Sequence, residues 1–346
     1  MVFRSGYSNA VSAWMFFTFS LSAAFIPNHS FAASTEISGL VEAELGVYDN
    51  LEFSGSDVSD ITLATAEISL DSELSEWFGA HVSLLYEQDA TDLEIDNGYI
   101  EYGNAFLSSI FARAGQLYVP FGAFETNMVS DPLTLELAET REVAFTIGYE
   151  SSFHATLYLF NGDLMEAGGD DSIDNIGIDL GYIYEGESMS FDIGFGYLNN
   201  IGDSDGLSAI IIGVNGLTEV TEYVPGMIAH LIFQWGSLQF IGELVAATKE
   251  FAAGEIYATK SKPSATNLEL AYHFSDNWVL ALGVQNTVDM SGYLPESRFL
   301  FATSYRIDEA TKIAFEYASD SDYGTSKPDG TGESASSMVI QLAAEF

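Results

Sequence analysis

Eight charged side chains are the candidates for solute recognition in this sequence, because basic residues are scarce enough to be placed one by one. The chain has 51 Asp and Glu but only 10 Lys and Arg. Arginines and carboxylates that face one another across a narrow opening would orient a charged or dipolar solute. The eight candidates are Arg113, Glu125, Asp131, Glu136, Glu139, Arg141, Arg298 and Arg306.

Catalysis and metal binding are not favoured by the remaining reactive residues. After residue 32 the histidines are His81, His154, His230 and His273. They fall in separate extended segments without a recurring ligand spacing, and a histidine there is more often a polar lining residue than a base. The chain has no Cys and therefore no thiolate. We expect no enzyme, no bound metal and no cofactor, and leave open divalent cations held by acidic outer loops.

The overall charge and hydropathy exclude two broad classes of protein. The formal net charge is -41. A chain this acidic repels the phosphate backbone of a nucleic acid, which excludes a nucleic-acid partner. Hydrophobic residues make up 47% of the chain, too many for an acidic disordered tail. The chain must therefore bury apolar surface against something other than nucleic acid.

An export signal is predicted at the N-terminus. Residues 1–32 carry one base, Arg4, and no acid, and an apolar run over 10–26 precedes small residues at Ala32 and Ala33. This pattern is typical of a cleaved signal peptide, with a retained anchor as the less favoured alternative. The predicted mature chain is 33–346, and no later stretch has the length and hydropathy of a membrane-spanning helix.

The mature chain alternates in hydropathy with a period of two, which predicts an all-β protein. In the segment 276–288, Trp278, Leu280 and Leu282 fall on one face, and Ala281 and Gly283 on the other. Sixteen such segments are predicted, at 36–48, 60–74, 78–88, 93–103, 108–118, 142–150, 153–161, 173–185, 188–199, 226–235, 237–249, 263–274, 276–288, 296–306, 311–319 and 335–346.

The connections between these segments predict a transmembrane antiparallel β-barrel of about sixteen strands. Tiny turns follow even-numbered strands and long acidic loops follow odd-numbered ones, as expected for short periplasmic turns and long extracellular loops. The chain ends on Phe346, an aromatic terminus common in bacterial outer-membrane barrels. A soluble β-sandwich is the alternative, but its core would need the apolar faces to pack together.

The third long loop, residues 119–141, is the predicted constriction of the barrel. Pro120 ends the preceding strand, and Asp131 is placed to cap a short helix over 133–139. One interpretation is that the loop only fills interior space. The other is that it folds inward as a filter for size and charge.

The arginines are predicted to face the lumen, because Arg on a lipid-facing position costs about 2–4 kcal/mol at the membrane midplane. Arg298 and Arg306 share a strand face opposite Phe299 and Phe301, and Arg113 alternates with Ala112. They would face the loop acids across the pore. The competing interpretation is that they only neutralise buried acids such as Glu101, Glu243 and Glu269.

A family resemblance is carried by the run GQLYVPFGAFETNMVSDPLTLELAETRE at 115–142, followed by Gly148-Tyr149 and by FNGD at 160–163. This region resembles the LbtU-type siderophore porins, which are related to phosphate-selective porins. The similarity extends over the mature chain. It implies an outer-membrane barrel without an N-terminal plug that takes part in ferric siderophore uptake.

Two functions therefore remain in competition. The resemblance implies passive or binding-assisted uptake of a small solute, with a ferric siderophore as the partner. The acidity of the chain favours a general cation-selective porin, because a ferric polycarboxylate is an anion. Outer-membrane lipid is the expected surrounding, a homotrimer is a further expectation from the size class, and a barrel that conducts nothing is the third alternative.

Overall fold

A closed antiparallel barrel of sixteen strands forms the molecule in this computed structural model, which describes residues 34–103, 109–170 and 172–346. Each strand pairs with its neighbours in chain order, and the first pairs with the last to close the ring. The predicted signal peptide lies outside the described residues.

The barrel strands are numbered here in chain order, and their bounds lie within a few residues of those predicted. They are β1 Ser34–Asp49, β2 Val58–Glu73, β3 Phe78–Glu87, β4 Thr91–Gly103, β5 Ile110–Tyr118, β6 Arg141–Tyr149, β7 Phe153–Phe160, β8 Asn175–Glu185, β9 Met189–Leu198, β10 Gly226–Trp235, β11 Leu238–Ala247, β12 Ser264–Ser275, β13 Trp278–Val288, β14 Ser297–Arg306, β15 Thr311–Ser321 and β16 Ser334–Glu345.

The outer surface of the barrel is apolar, whereas many inner-face side chains are polar, unlike the surface and core of a soluble protein. On β12 the outward Leu268 and Leu270 are 50% and 51% exposed, whereas the inward Asn267 and Glu269 are 0% and 2% exposed. Successive side chains of a strand point to opposite faces, so the period-two pattern produces this arrangement directly. The soluble sandwich is therefore wrong, since the apolar faces do not pack together.

The two ends of the barrel differ, and we call them the loop end and the turn end. Connections at the turn end are short, as at 74–77, 150–152, 186–188, 236–237, 276–277 and 307–310. Connections at the loop end include the long segments 119–140, 161–174, 199–225 and 248–263. The connection 88–90 departs from the predicted alternation, because β3 and β4 are joined at the loop end by a tight turn.

Outward aromatic residues collect near the turn end. The exposed rings there include Phe274, Trp278 and Tyr305, with Phe274 and Trp278 at a centroid distance of 5.5 Å. Trp77 and Tyr102 stack at 6.0 Å on the other side of the barrel. Aromatic side chains of this kind mark the interface between hydrocarbon and water in outer-membrane barrels.

Short helices, 3₁₀ turns and one small strand pairing lie in the connections at the loop end. Helix α1 spans Leu133–Ala138, helix α2 spans Asp205–Ser208 and continues as a π-helical turn over Ala209–Val214, and 3₁₀ turns lie at Leu51–Phe53 and Ile201–Asp203. A two-residue parallel pairing joins Met165–Glu166 to Glu219–Val220. In the parts of the chain described, no helix is long and apolar enough to cross a membrane.

Helix α1 begins and ends slightly differently from the prediction. Pro132, not Asp131, occupies the N-cap position in an extended conformation, and its carbonyl accepts the Leu135 N–H at 2.9 Å. The helix ends one residue earlier, at Ala138, where Glu139 leaves the helical conformation. Asp131, directly before the N-cap, is buried.

Candidate functional site: the acidic gap beside the inward loop

Residues 119–140, called the inward loop from here on, leave β5 and cross the lumen to the opposite wall. The Leu133 N–H donates to Gln285 Oε1 of β13 at 3.2 Å. Because β13 lies eight strands from β5 in a ring of sixteen, this contact is diametrically opposite the point where the loop starts. The loop therefore divides the interior of the barrel.

Inward glutamates of the wall hold the first half of the inward loop. Glu243 Oε2 accepts the backbone N–H groups of Ala123 and Phe124 at 2.9 and 3.1 Å. Glu269 accepts the Asn127 N–H at 2.9 Å and the Thr126 hydroxyl at 2.6 Å. Hydrogen bonds to an ionised acceptor are the strong kind, so these two acids fix the path of the loop.

The second half of the inward loop is held in the same way. Glu316 Oε2 of β15 accepts the N–H groups of Val129 and Ser130 at 2.6 and 3.1 Å. Glu243 Oε1 also accepts the Thr134 hydroxyl at 2.7 Å, at the start of α1. These buried acids accept hydrogen bonds from donors of the loop. Glu243 and Glu269 are thus bonded to the loop, which differs from the interpretation that arginines neutralise them.

An apolar core lies inside the barrel beneath the loops. Fully buried side chains of the inward loop and of 199–225 pack against the inner faces of β9–β11. Burying such side chains stabilises the fold by about 1.5–3 kcal/mol each. The principal members are Phe121, Leu133, Leu137, Leu198, Ile201, Leu207, Ile211, Ile228 and Val245. This side of the lumen is therefore filled.

The loop 199–225 docks onto the end of α1. The Asp205 N–H donates to the Glu139 carbonyl at 2.8 Å, and the Ser204 hydroxyl donates to the Leu137 carbonyl at 2.8 Å. A Cβ at Gly206 would lie 2.0 Å from the Glu136 carbonyl oxygen, so only glycine permits this approach. The contact places the Asp205 carboxylate beside α1.

A cavity of about 300 Å³ lies between α1 and the inner face of β3 and β4. Its polar lining contains five acids, and of the residues described only one base lines it. The acids are Glu87, Glu94, Glu136, Glu139 and Asp205, and the base is Arg141. Leu85, Leu135 and the Tyr118 ring form the apolar part of the lining. We call this cavity the acidic gap.

Arg141 is hydrogen-bonded to two acids of the β4 wall. Its Nη1 donates to Glu94 Oε1 at 2.5 Å and to Asp96 Oδ1 at 3.1 Å. The Tyr118 hydroxyl donates to the same Asp96 oxygen at 2.7 Å. The arginine charge is thus offset by two acids of the β4 wall.

The acids that the inward loop and the loop 199–225 contribute to the gap have raised pKa values. Burial raises the pKa of Glu136 to about 7, although the nearby Arg298 guanidinium opposes the shift. Burial also raises the pKa of Asp205 to about 6, against the lowering effect of its bond from the Arg141 N–H. Burial and the neighbouring Asp205 carboxylate raise the pKa of Glu139. The charges of Glu136 and Asp205 therefore change with pH near neutrality.

The predicted arginines do not form one row. Arg298 is buried near the loop end and bound to both oxygens of Asp320 at 2.8 and 3.0 Å. Arg113 lies near the turn end, bound to Glu101 at 2.6 Å and stacked over the Phe111 ring. Arg306 is exposed at the last residue of β14, on the rim of the turn end.

Arg141 is thus the predicted arginine that lies in the acidic gap. It is the first residue of β6, not the end of the loop. Arg113 is paired with Glu101, so the interpretation that an arginine neutralises an inward acid agrees with the structure for Glu101.

The four predicted acids of the inward loop separate into different environments. Glu136 and Glu139 line the acidic gap. Glu125 shares its surroundings with Asp192, Glu243 and Glu269, and burial raises its pKa to about 7. Asp131 is buried. Only two of these acids therefore face the gap.

Sequence reasoning missed Glu87 and Glu94, which line the gap from the barrel strands, and Asp205, which lines it from the loop 199–225. Glu94 and Asp96 share the inward face of β4, which strand parity alone indicates. Nothing in the sequence links them to Asp205, because that contact depends on how two distant loops pack.

Three of the histidines lie beside acids inside the barrel. His81 Nδ1 lies 2.7 Å from Asp71, while His154 and His230 each lie 3.5 Å from an aspartate oxygen, of Asp179 and Asp192 respectively. Within the described ranges, no group of three or more His, Asp or Glu has the arrangement of a metal site. Divalent cations on the outer loops stay a prediction.

Comparison of the sequence with known proteins finds distant relatives. A UPF0422 protein of Coxiella burnetii is 26% identical over 306 residues, covering 84% of this chain and 65% of the relative. A UPF0422 protein of Legionella pneumophila strain Paris is 26% identical over 331 residues, covering 83% and 62%. The chain thus spans less than two thirds of the length of these relatives. No family model matches the sequence, and the LbtU-type family is not confirmed.

Solved structures share the architecture at low identity. An anion-selective porin from Comamonas acidovorans superposes with a TM-score of 0.65 at 12% identity, covering 91% of this chain and all of that one. The outer membrane channel DcaP of Acinetobacter baumannii gives 0.62 at 13% identity, covering 91% and 97%. The trimer form of OmpT from Vibrio cholerae gives 0.54 at 12% identity, covering 91% and 100%. The fold is that of outer-membrane porins.

Proposed function

We propose that this chain is a channel of the bacterial outer membrane that admits small cationic solutes in preference to anions. The porin architecture and the apolar outer belt support the location, since exposed leucines such as Leu268 and Leu270 need hydrocarbon around them. Export through the predicted signal peptide belongs to the same proposal.

The single observation that carries the selectivity is the lining of the acidic gap. The apolar core fills the opposite side of the lumen, so we infer that solutes pass between α1 and the β3–β4 wall. Five acids and one arginine line that gap. A narrow passage with this excess of carboxylates lowers the energy of a cation and raises that of an anion.

Ion selectivity in a planar bilayer tests the proposal. The full chain, purified in detergent, is inserted into a bilayer that separates two KCl concentrations. We expect a reversal potential with the sign of cation preference, and the preference should weaken as salt is raised because the gap is screened. A reversal potential of the opposite sign, or no conductance in correctly folded protein, would overturn it.

The ferric siderophore stays a prediction that rests on the resemblance. The acids of the gap oppose an anionic chelate, whereas Arg141 is offset by Glu94 and Asp96. Saturable block of the conductance by a ferric siderophore, together with impaired iron uptake in a deletion strain, would favour that function instead.

The fold also bears on whether the protein is an enzyme and on how it assembles. A porin-like barrel favours a channel over an enzyme, and one trimeric neighbour makes a homotrimer the natural assembly to test. Cross-linking in detergent would measure it.

A further inference from the structure

Glu87, at the loop end of β3, has a buried oxygen that the structure leaves without a partner. The residue is only 3% exposed, and it lines the acidic gap. Its Oε2 accepts the Thr91 hydroxyl at 2.7 Å. Among the described residues no donor reaches its Oε1. A buried carboxylate oxygen without a donor is costly, so this atom is suited to receive a donor from a ligand.

The acids of the gap lie on two facing walls instead of around one point. Glu87 and Glu94 belong to the barrel wall, whereas Glu136, Glu139 and Asp205 belong to the loop wall. No convergent metal-type cluster is found among the residues described. A ligand that satisfies both walls at once needs two positive groups held apart.

Each wall of the gap also carries apolar side chains. Leu85, Leu135 and the ring of Tyr118 lie in the same lining. Methylene groups pack favourably on such a surface, whereas a hydrated metal ion gains nothing from it. The gap is reachable from water, because the side chain of Glu94 at its edge is 39% exposed.

We propose that the acidic gap is a binding subsite for linear aliphatic diamines and polyamines. One ammonium group donates to Glu87 Oε1, the methylene chain lies along Leu85 and Leu135, and the second ammonium group donates to the Glu136 and Glu139 wall. The volume of about 300 Å³ is ample for a short chain of this kind. This inference rests on the proposed function and names its substrate class.

Block of the bilayer conductance by 1,4-diaminobutane and by spermidine tests the subsite. Both should reduce the potassium current in a saturable way, at concentrations at least tenfold below those needed for n-butylamine, which has one ammonium group. Magnesium chloride at an equal concentration of positive charge should block more weakly, because a hydrated magnesium ion gains nothing from the apolar side chains of the lining. Equal block by all four would overturn the subsite.

Two variants and a matched control locate the binding. Glu87→Gln and Glu136→Gln should each weaken diamine block about tenfold, which corresponds to about 1.4 kcal/mol. Glu67→Gln removes an inward acid of β2 outside the lining, where it accepts the Ser69 hydroxyl at 2.6 Å, and should leave the block unchanged. Equal weakening by all three substitutions would show a general charge effect and refute the subsite.

The reversal potential separates this inference from the proposed function. If wild-type protein prefers cations but diamines give no saturable block, the subsite fails and the cation channel stands. If the reversal potential indicates anion preference, the proposed function itself fails. If the Glu87→Gln protein does not fold, Glu136→Gln takes its place, and the test still supports or refutes the subsite.

Discussion

Glu316 of β15 and Val129 of the inward loop are joined by a hydrogen bond of 2.6 Å, in which the Val129 N–H donates to Glu316 Oε2 across 187 positions of sequence. Glu243 and Glu269 bind the loop in the same way. These three inward acids are therefore structural acceptors that hold the loop in place.

Removing a loop anchor should loosen the constriction. Glu316→Ala leaves the N–H groups of Val129 and Ser130 without their acceptor, at a cost of about 1–3 kcal/mol per buried group. We expect a larger and noisier single-channel conductance and faster amide exchange in residues 119–140. Glu67→Ala removes an inward acid bonded to Ser69 and serves as control. Unchanged conductance in Glu316→Ala would contradict the anchoring role.

Cation preference should fall on acidification. The pKa values of Glu136 and Asp205 are raised to about 7 and about 6, so both side chains lose negative charge as the pH falls through this range. We expect the reversal potential to move toward zero between pH 8 and pH 5, whereas acids of ordinary pKa near 4 titrate lower. Glu136→Gln should flatten the upper part of the curve. A reversal potential independent of pH over this window would be the contrary result.

Neutralising Arg141 should raise cation preference. Arg141→Gln removes the one base of the gap lining among the residues described and frees the charges of Glu94 and Asp96. We expect the ratio of potassium to chloride permeability to rise about twofold or more. Arg306→Gln, at the exposed rim of the turn end, is the control and should change it little. Equal effects of the two substitutions would mean that the gap does not set selectivity.

The docking of the two loops should depend on Gly206. In Gly206→Ala the new Cβ would meet the Glu136 carbonyl oxygen, which backbone movement must relieve at a cost of about 1–3 kcal/mol. We expect a lower melting temperature and a weaker cation preference, since Asp205 would leave the gap. Gly213→Ala is the matched control, because nothing lies within 4 Å of its added Cβ. A similar melting temperature for both variants would argue against the docking.

The barrel can be predicted from local sequence patterns. A strand's side chains alternate between its two faces, so the apolar and polar sides of β12 or β13 can be assigned from local sequence alone. Turn composition then separates the strands, which is why the predicted bounds fall within a few residues of the observed ones. The inward orientation of Arg113 and Arg298 follows from the same parity.

Which charges share a site depends on strand register and loop packing. Arg298 and Asp320, like Arg113 and Glu101, are directly opposed on neighbouring strands. Arg141 of β6 meets Glu94 of β4 across the intervening strand β5. The path of the inward loop depends on acceptors from four other strands, and the place of Asp205 depends on contact between two loops. Local periodicity gives the face on which a side chain lies, but it gives neither the register between strands nor the packing of one loop on another.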